Sequence, residues 1–310
     1  MMRAAAAGLM LLATAASFAG AQPARPPVES VTVTGLKDAP QAVVDHFVQT
    51  FSKPSYLTGK MGRWENGICP QTAGLAPKYA AFISRRIRDL AEEVHAPVNK
   101  DPRCRANIEV AFTTAPQALL DVVRRDHKNY LGYVSGPSEA DKRAMVNHPI
   151  QAWYMTATKD LDGEEDVDSS SAPPTPIRMP CSTCTPPYID MYVSGGARKA
   201  TGGRQKDGLR TVFRHVFIVA DPTKLKDYEV GVLADYIALL ALSQLNSLDA
   251  CQQLPSIINR LAKGCANPSN ALSEGDLGFL RGLYSMSADG NLKVQQDGIA
   301  YQMKQTLKGP

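Results

Sequence analysis

The chain has 310 residues, 44% of them hydrophobic and 21% charged, with 34 basic against 30 acidic side chains. That is enough apolar material for one large core or two small ones, while a net charge of +4 is too slight to argue for nucleic acid or an acidic membrane surface as partner. After the first segment no stretch approaches the ~18 uninterrupted apolar residues of a spanning helix, so the mature chain is expected to have no transmembrane segment.

That first segment, MMRAAAAGLMLLATAASFAGAQ, has a single Arg3, an apolar run, and the small-x-small triplet Ala19, Gly20, Ala21 ahead of the proline-rich QPARPP. This is the pattern of a cleaved secretory signal over residues 1–21, leaving Gln22 as the new N-terminus, and the triplet favours cleavage over an uncleaved anchor. No lipobox cysteine follows it. The mature chain, 22–310, is read as one domain, exported to the periplasm or the extracellular space.

Along the chain, SVTVTG reads as a short strand. PQAVVDHFVQTFSKP then places Val43, Val44, Phe47, Val48 and Phe51 on one helical face before Pro54. APKYAAFISRRIRDLAEEVHAP is the strongest amphipathic helix, with Tyr79, Phe82, Ile83, Ile87, Leu90 and Val94 at spacings of three and four. ANIEVAFT is a strand, APQALLDVVRRDH a helix, LGYV a short strand, SEADKRAMVN a capped short helix and IQAWYMTA a strand. Acidic, serine and proline residues from Lys159 to Pro187 then predict a flexible inserted loop, after which YIDMYVS and TVFRHVFIVAD resume as strands. GVLADYIALLALSQL, Gly231 to Leu245, has the length and apolar density of a buried helix. Two further helices follow, SEGDLGFLRGLYS capped by Ser273, and DGIAYQMKQTL. Helices and strands mixed without a strict repeat predict an α+β fold with a twisted mixed sheet packed on helices.

All six cysteines lie in the exported part, where the compartment is oxidising and an even count points to pairing. Sequence alone permits 15 connectivities. Locality favours Cys69 with Cys104, Cys251 with Cys265 and Cys181 with Cys184. The C-x-x-C pair of Cys181 and Cys184 sits among prolines with no helix after it, which favours a local structural disulfide over a redox centre, with a thiol-disulfide function as the less favoured alternative.

Within Gly231 to about Met303, Ala234-Asp235-Tyr236-Ile237-Ala238 followed by Leu240-Ala241-Leu242 stands where zincin-type metallopeptidases carry HExxH and a small apolar triplet. Pro255-Ser256-Ile257-Ile258 resembles their approach to the methionine turn, and LSEGDLGFLRGLY resembles their closing helix. The chain resembles zincin-like secreted bacterial families of unknown function, several with degenerate motifs, and the likeness implies a zincin-like core. In that family the two histidines four apart hold zinc and the glutamate between them activates water. Here both ligand positions are alanine, Ala234 and Ala238, and neither can coordinate a metal. Asp235 retains a shorter carboxylate, and Gln244 would be a poor third ligand. The resemblance therefore implies a pseudopeptidase with no catalytic residue, no metal and no cofactor.

The remaining polar clusters have bland readings. The acidic run Asp160, Asp162, Glu164, Glu165, Asp166 and Asp168 lacks the spacing of an EF-hand and reads as a solvated loop. Arg198, Lys199, Arg204 and Lys206 lie on a glycine-rich stretch read as a hairpin between two strands rather than a phosphate loop. His46, His95, His127, His148 and His215 are scattered, with none at metal-ligand spacing. The expected function is a non-catalytic binding or structural role in the envelope or periplasm, with a peptide or an envelope protein as partner. Tyr188, Asp190 and Tyr192, in YIDMYVS, mark a candidate peptide-binding edge. The alternative is a secreted hydrolase of metallopeptidase type with non-standard ligands.

Overall fold

The apolar stripe from Val43 to Phe51 becomes the buried face of α1, Gln41–Phe51, because side chains three and four apart share one side of a helix. In chain order the elements that follow are β1 (Gly62–Arg63), β2 (Pro70–Ala73), α2 (Pro77–Glu93), β3 (Ile108–Phe112), α3 (Pro116–Asp126), α4 (Pro137–Arg143), β4 (Ile150–Lys159), β5 (Glu165–Val167), β6 (Thr175–Pro180), β7 (Tyr188–Val193), β8 (Arg210–Ala220), α5 (Val230–Leu242), α6 (Glu274–Ser285) and α7 (Leu292–Lys308). The computed structural model describes residues 39–132, 137–168, 175–193 and 198–308. All of them fall in one compact unit. The signal segment at 1–21 and the SVTVTG strand lie outside the described residues.

The fold is α+β, built on a mixed sheet in the order β2, β3, β8, β4, β5. β2, β3 and β8 run parallel, while β4 is antiparallel to both β8 and β5. β1 also pairs with β8 in parallel, at Thr211 and Val212. β6 and β7 form a separate two-stranded ribbon. Helices cover both faces of the sheet. On one side α1, α2, α5, α6 and α7 enclose the larger core with Phe213, Val216, Ile218 and Ala220 of β8. On the other, Leu120 and Val123 of α3 pack with Ala144, Trp153, Phe217 and Val219. The alternation from Val216 to Ala220 follows from the two-residue period of a strand buried on both faces.

Helix ends and crossings have local causes. Ser273 and Asp276 form a capping box at the start of α6, the Ser273 hydroxyl accepting from the Asp276 N–H and the Asp276 carboxylate accepting from the Ser273 N–H. At the other end of α6 the Arg63 guanidinium donates to the carbonyls of Leu283, Tyr284 and Met286, satisfying acceptors that a helix terminus leaves open. Gly282 lets α6 and α7 meet, since a Cβ there would stand 2.8 Å from Ile299 Cα.

Several expectations change in the folded chain. Tyr79 and Phe82 remain 40% and 37% exposed while Ile83, Ile87, Leu90 and Val94 are buried, so the α2 stripe is narrower than its apolar residues imply. The 159–187 segment, expected to be an irregular insertion, carries β5 and β6. The stretch around Arg198 is not a hairpin, because β7 and β8 belong to different sheets. In the LGYV segment, Leu131 closes a 3-10 turn over Lys128–Leu131 rather than starting a strand.

Candidate functional site

β8 determines where the site lies. β4 occupies one edge of β8 from Arg210 to Ala220, so β1 and β3 share the other. β1 covers it at Thr211 and Val212, and β3 takes over only at Val216. Phe213, Arg214 and His215 therefore have no strand partner on that edge. The same three residues are irregular on the β4 side, where Met155 pairs with His215 and Thr156 with Phe213, leaving Arg214 as the extra residue of a β-bulge. Phe213 and Val216, three apart, both enter the larger core. A regular strand would set them on opposite faces, and the bulge reconciles them.

A cavity of about 510 Å³ opens at this interruption, lined among others by Asn66, Arg105, Tyr130, Met155, Arg214 and His215. Its walls are well anchored. The Asn107 side chain accepts from the Cys69 N–H at 2.6 Å and donates to the Gly67 carbonyl at 3.1 Å. The Asn107 carbonyl receives the Val216 N–H at 2.9 Å, and the Cys69–Cys104 disulfide fastens the segment that carries Arg105. Trp64 donates its indole N–H to the Ala241 carbonyl at 2.8 Å, fixing the β1 side of the recess to α5.

His215 is the unusual group within it. The residue is 4% exposed, and neither ring nitrogen makes a hydrogen bond. Nε2 lies 3.3 Å from Glu109 Oε1, within ion-pair range but without hydrogen-bond alignment. The ring stacks on Tyr130 at 3.9 Å between centroids, and Tyr130 stacks in turn on His127 at 5.3 Å. Burial pushes the His215 imidazole below its ordinary value, and the positive charge of Arg105 and nearby His127 act the same way. Glu109 opposes them without prevailing. The floor of the recess is thus a neutral imidazole with unmet hydrogen-bonding capacity, which a buried polar group does not ordinarily retain.

The lining residue Arg214 belongs to a network of ion pairs. Arg214 pairs with Glu165, Glu165 with Lys159, and Lys159 with Glu65, which also meets Arg210. The guanidinium of Arg105, by contrast, has no hydrogen bond or ion pair among the described residues.

The residues of the zincin-like motif do not line this cavity. Ala234 and Ala238 are fully buried in the larger core. Asp235 ties three elements together: one carboxylate oxygen pairs with the Arg86 side chain on α2, and the other accepts the Leu272 N–H ahead of α6 at 3.1 Å. The three disulfides join Cys69 to Cys104, Cys181 to Cys184 and Cys251 to Cys265. Cys181 and Cys184 stand in the turn between β6 and β7, with no helix following them. Tyr188, Asp190 and Tyr192 belong to β7 of the two-stranded ribbon, which is not part of the main sheet. The acidic run and the basic stretch, read separately in the sequence, meet: Arg198 Nη2 lies 3.6 Å from Asp168, Lys199 pairs with Asp162, and Asp160 accepts the Lys199 N–H. Among the described residues, no three His, Cys, Asp or Glu side chains cluster as a metal site would require.

Sequence reasoning passed over His215 because it weighed histidines by spacing along the chain. The available signal was local. In TVFRHVFIVAD the polar pair Arg214-His215 breaks an apolar strand, and the period of two fails between Phe213 and Val216. No family model matches the chain, and no curated protein or solved structure matches it either.

Proposed function

We propose that the protein is an exported, non-catalytic binding protein of the periplasm or extracellular space, and that the recess at the interrupted edge of β8 is its ligand site. The observation that carries this reading is a cavity of about 510 Å³ lined by His215, a buried imidazole with neither nitrogen in a hydrogen bond. A recess of that size is in the range of small-molecule sites, and the loops that wall it are held by a disulfide, by Asn107 and by Trp64. Preorganised walls lower the ordering cost of binding. Three disulfides fit an oxidising compartment.

The zincin likeness belongs to the same proposal as a likeness of scaffold. Ala234 and Ala238 provide only buried methyl groups, and Asp235 is engaged by Arg86 and the Leu272 N–H. The helix that would carry peptidase chemistry serves as the wall against which α2 and the sheet pack. A fragment screen followed by amide chemical shifts tests the reading. Ligands should move the resonances of Asn66, Arg105 to Asn107 and Phe213 to His215, and His215→Phe should weaken them. Hits that consistently leave these residues unmoved would place the binding surface elsewhere.

A further inference from the structure

We infer that the recess recognises a carboxylate, held by Arg105, on a small ligand whose apolar portion lies along Tyr130 and Met155; this rests on the reading of the recess as a ligand site. The charge inventory points there. Arg214 is already paired with Glu165, and the Asn107 amide oxygen and nitrogen are both engaged by main-chain groups. His215 is kept uncharged by its burial. Arg105 is left as the exposed lining cation with no ion pair among the described residues, close enough for its field to reach the imidazole.

A guanidinium presents a planar fork that matches a carboxylate in two parallel hydrogen bonds. A dianion such as a phosphate monoester would bring its second charge toward Glu109 and Glu165, which stand beside His215 and Arg214. Like charges so placed oppose binding.

Two sources present such a carboxylate: a small free acid, and the C-terminus of a peptide.

The test uses the mature protein and four probes: lactate, N-acetyl-dialanine, and the uncharged amides of each. Binding is read by calorimetry and by amide shifts at Arg105, Asn107 and Phe213 to His215. Because hydrogen bonds to charged groups outweigh neutral ones, the acids should bind at least about tenfold more tightly than their amides. Arg105→Gln, at an exposed position, should erase that preference while the fold stays intact by circular dichroism. The stronger of the two acids identifies the source. Equal binding of acid and amide at these residues, or a preference that survives Arg105→Gln, would overturn the carboxylate inference and leave the ligand site standing. If none of the four probes perturbs these residues, the carboxylate inference falls; the ligand-site reading falls too if the fragment screen also leaves them unmoved.

Discussion

Asp235 offers the clearest test of whether the old motif position is a site or a strut. Replacing it by alanine removes the acceptor of the Leu272 N–H and the partner of Arg86. An N–H left unpaired in a mostly buried setting costs about 1 to 3 kcal/mol. The ion-pair loss is smaller than for a fully buried pair, because the Arg86 side chain is 29% exposed and keeps access to water; about 1 kcal/mol is appropriate there. Together the Asp235→Ala variant should lose about 2 to 4 kcal/mol. Asp235→Asn, which still offers an oxygen to Leu272, should recover the larger part. Urea unfolding of both variants, with Arg86→Ala completing a double-mutant cycle, separates the two contributions. A carboxylate kept for chemistry is commonly neutral or unfavourable for stability, so its removal would leave the protein unchanged or more stable. A loss below about 0.5 kcal/mol in Asp235→Ala, within the range of ordinary surface substitutions, would refute the structural assignment.

Three further outcomes follow from the same structure. Because burial holds the folded His215 pKa below its ordinary value, acid favours the unfolded chain; its contribution is constant above about pH 6.5 and falls as pH drops from there through the lowered folded value. Urea midpoints at about pH 7.5 and about pH 5.5 should therefore differ more in wild type than in His215→Gln, and equal losses would contradict the burial argument. Gly282→Ala would gain about 1 kcal/mol as a plain helix substitution, but its methyl meets Ile299 Cα at 2.8 Å, so thermal melting should show a net loss and a raised melting temperature would count against the α6 and α7 contact. Opening the Cys69–Cys104 crosslink with paired serines releases a loop of sequence separation 35, which loop-closure entropy values at about 4 kcal/mol; the same change at Cys181 and Cys184, separation 3, should cost far less, and a reversed ranking would exclude this mechanism.

The sequence by itself determined the helices whose apolar residues recur at three and four, α1 and the core of α2 among them, and the entirely buried α5, whose apolar residues run on every side. Closeness along the chain favoured Cys251 with Cys265 and Cys181 with Cys184, the pairs the fold joins, without excluding the other connectivities. Mixed helices and strands were enough for the α+β class. Only the tertiary structure decided the candidate site. The recess exists because β1 and β3, far apart in sequence, share one edge of β8 and leave three residues between them; the broken period at Phe213 to Val216 marks the interruption but not which strands flank it. The same holds for Arg105 and His215, brought near each other by the β3 and β8 pairing, and for Asp235, which as a lone carboxylate on an apolar helix resembles a functional remnant until Arg86 and the Leu272 N–H are seen around it. Periodicity records which side of an element is buried; the partners of a polar side chain are set by the fold.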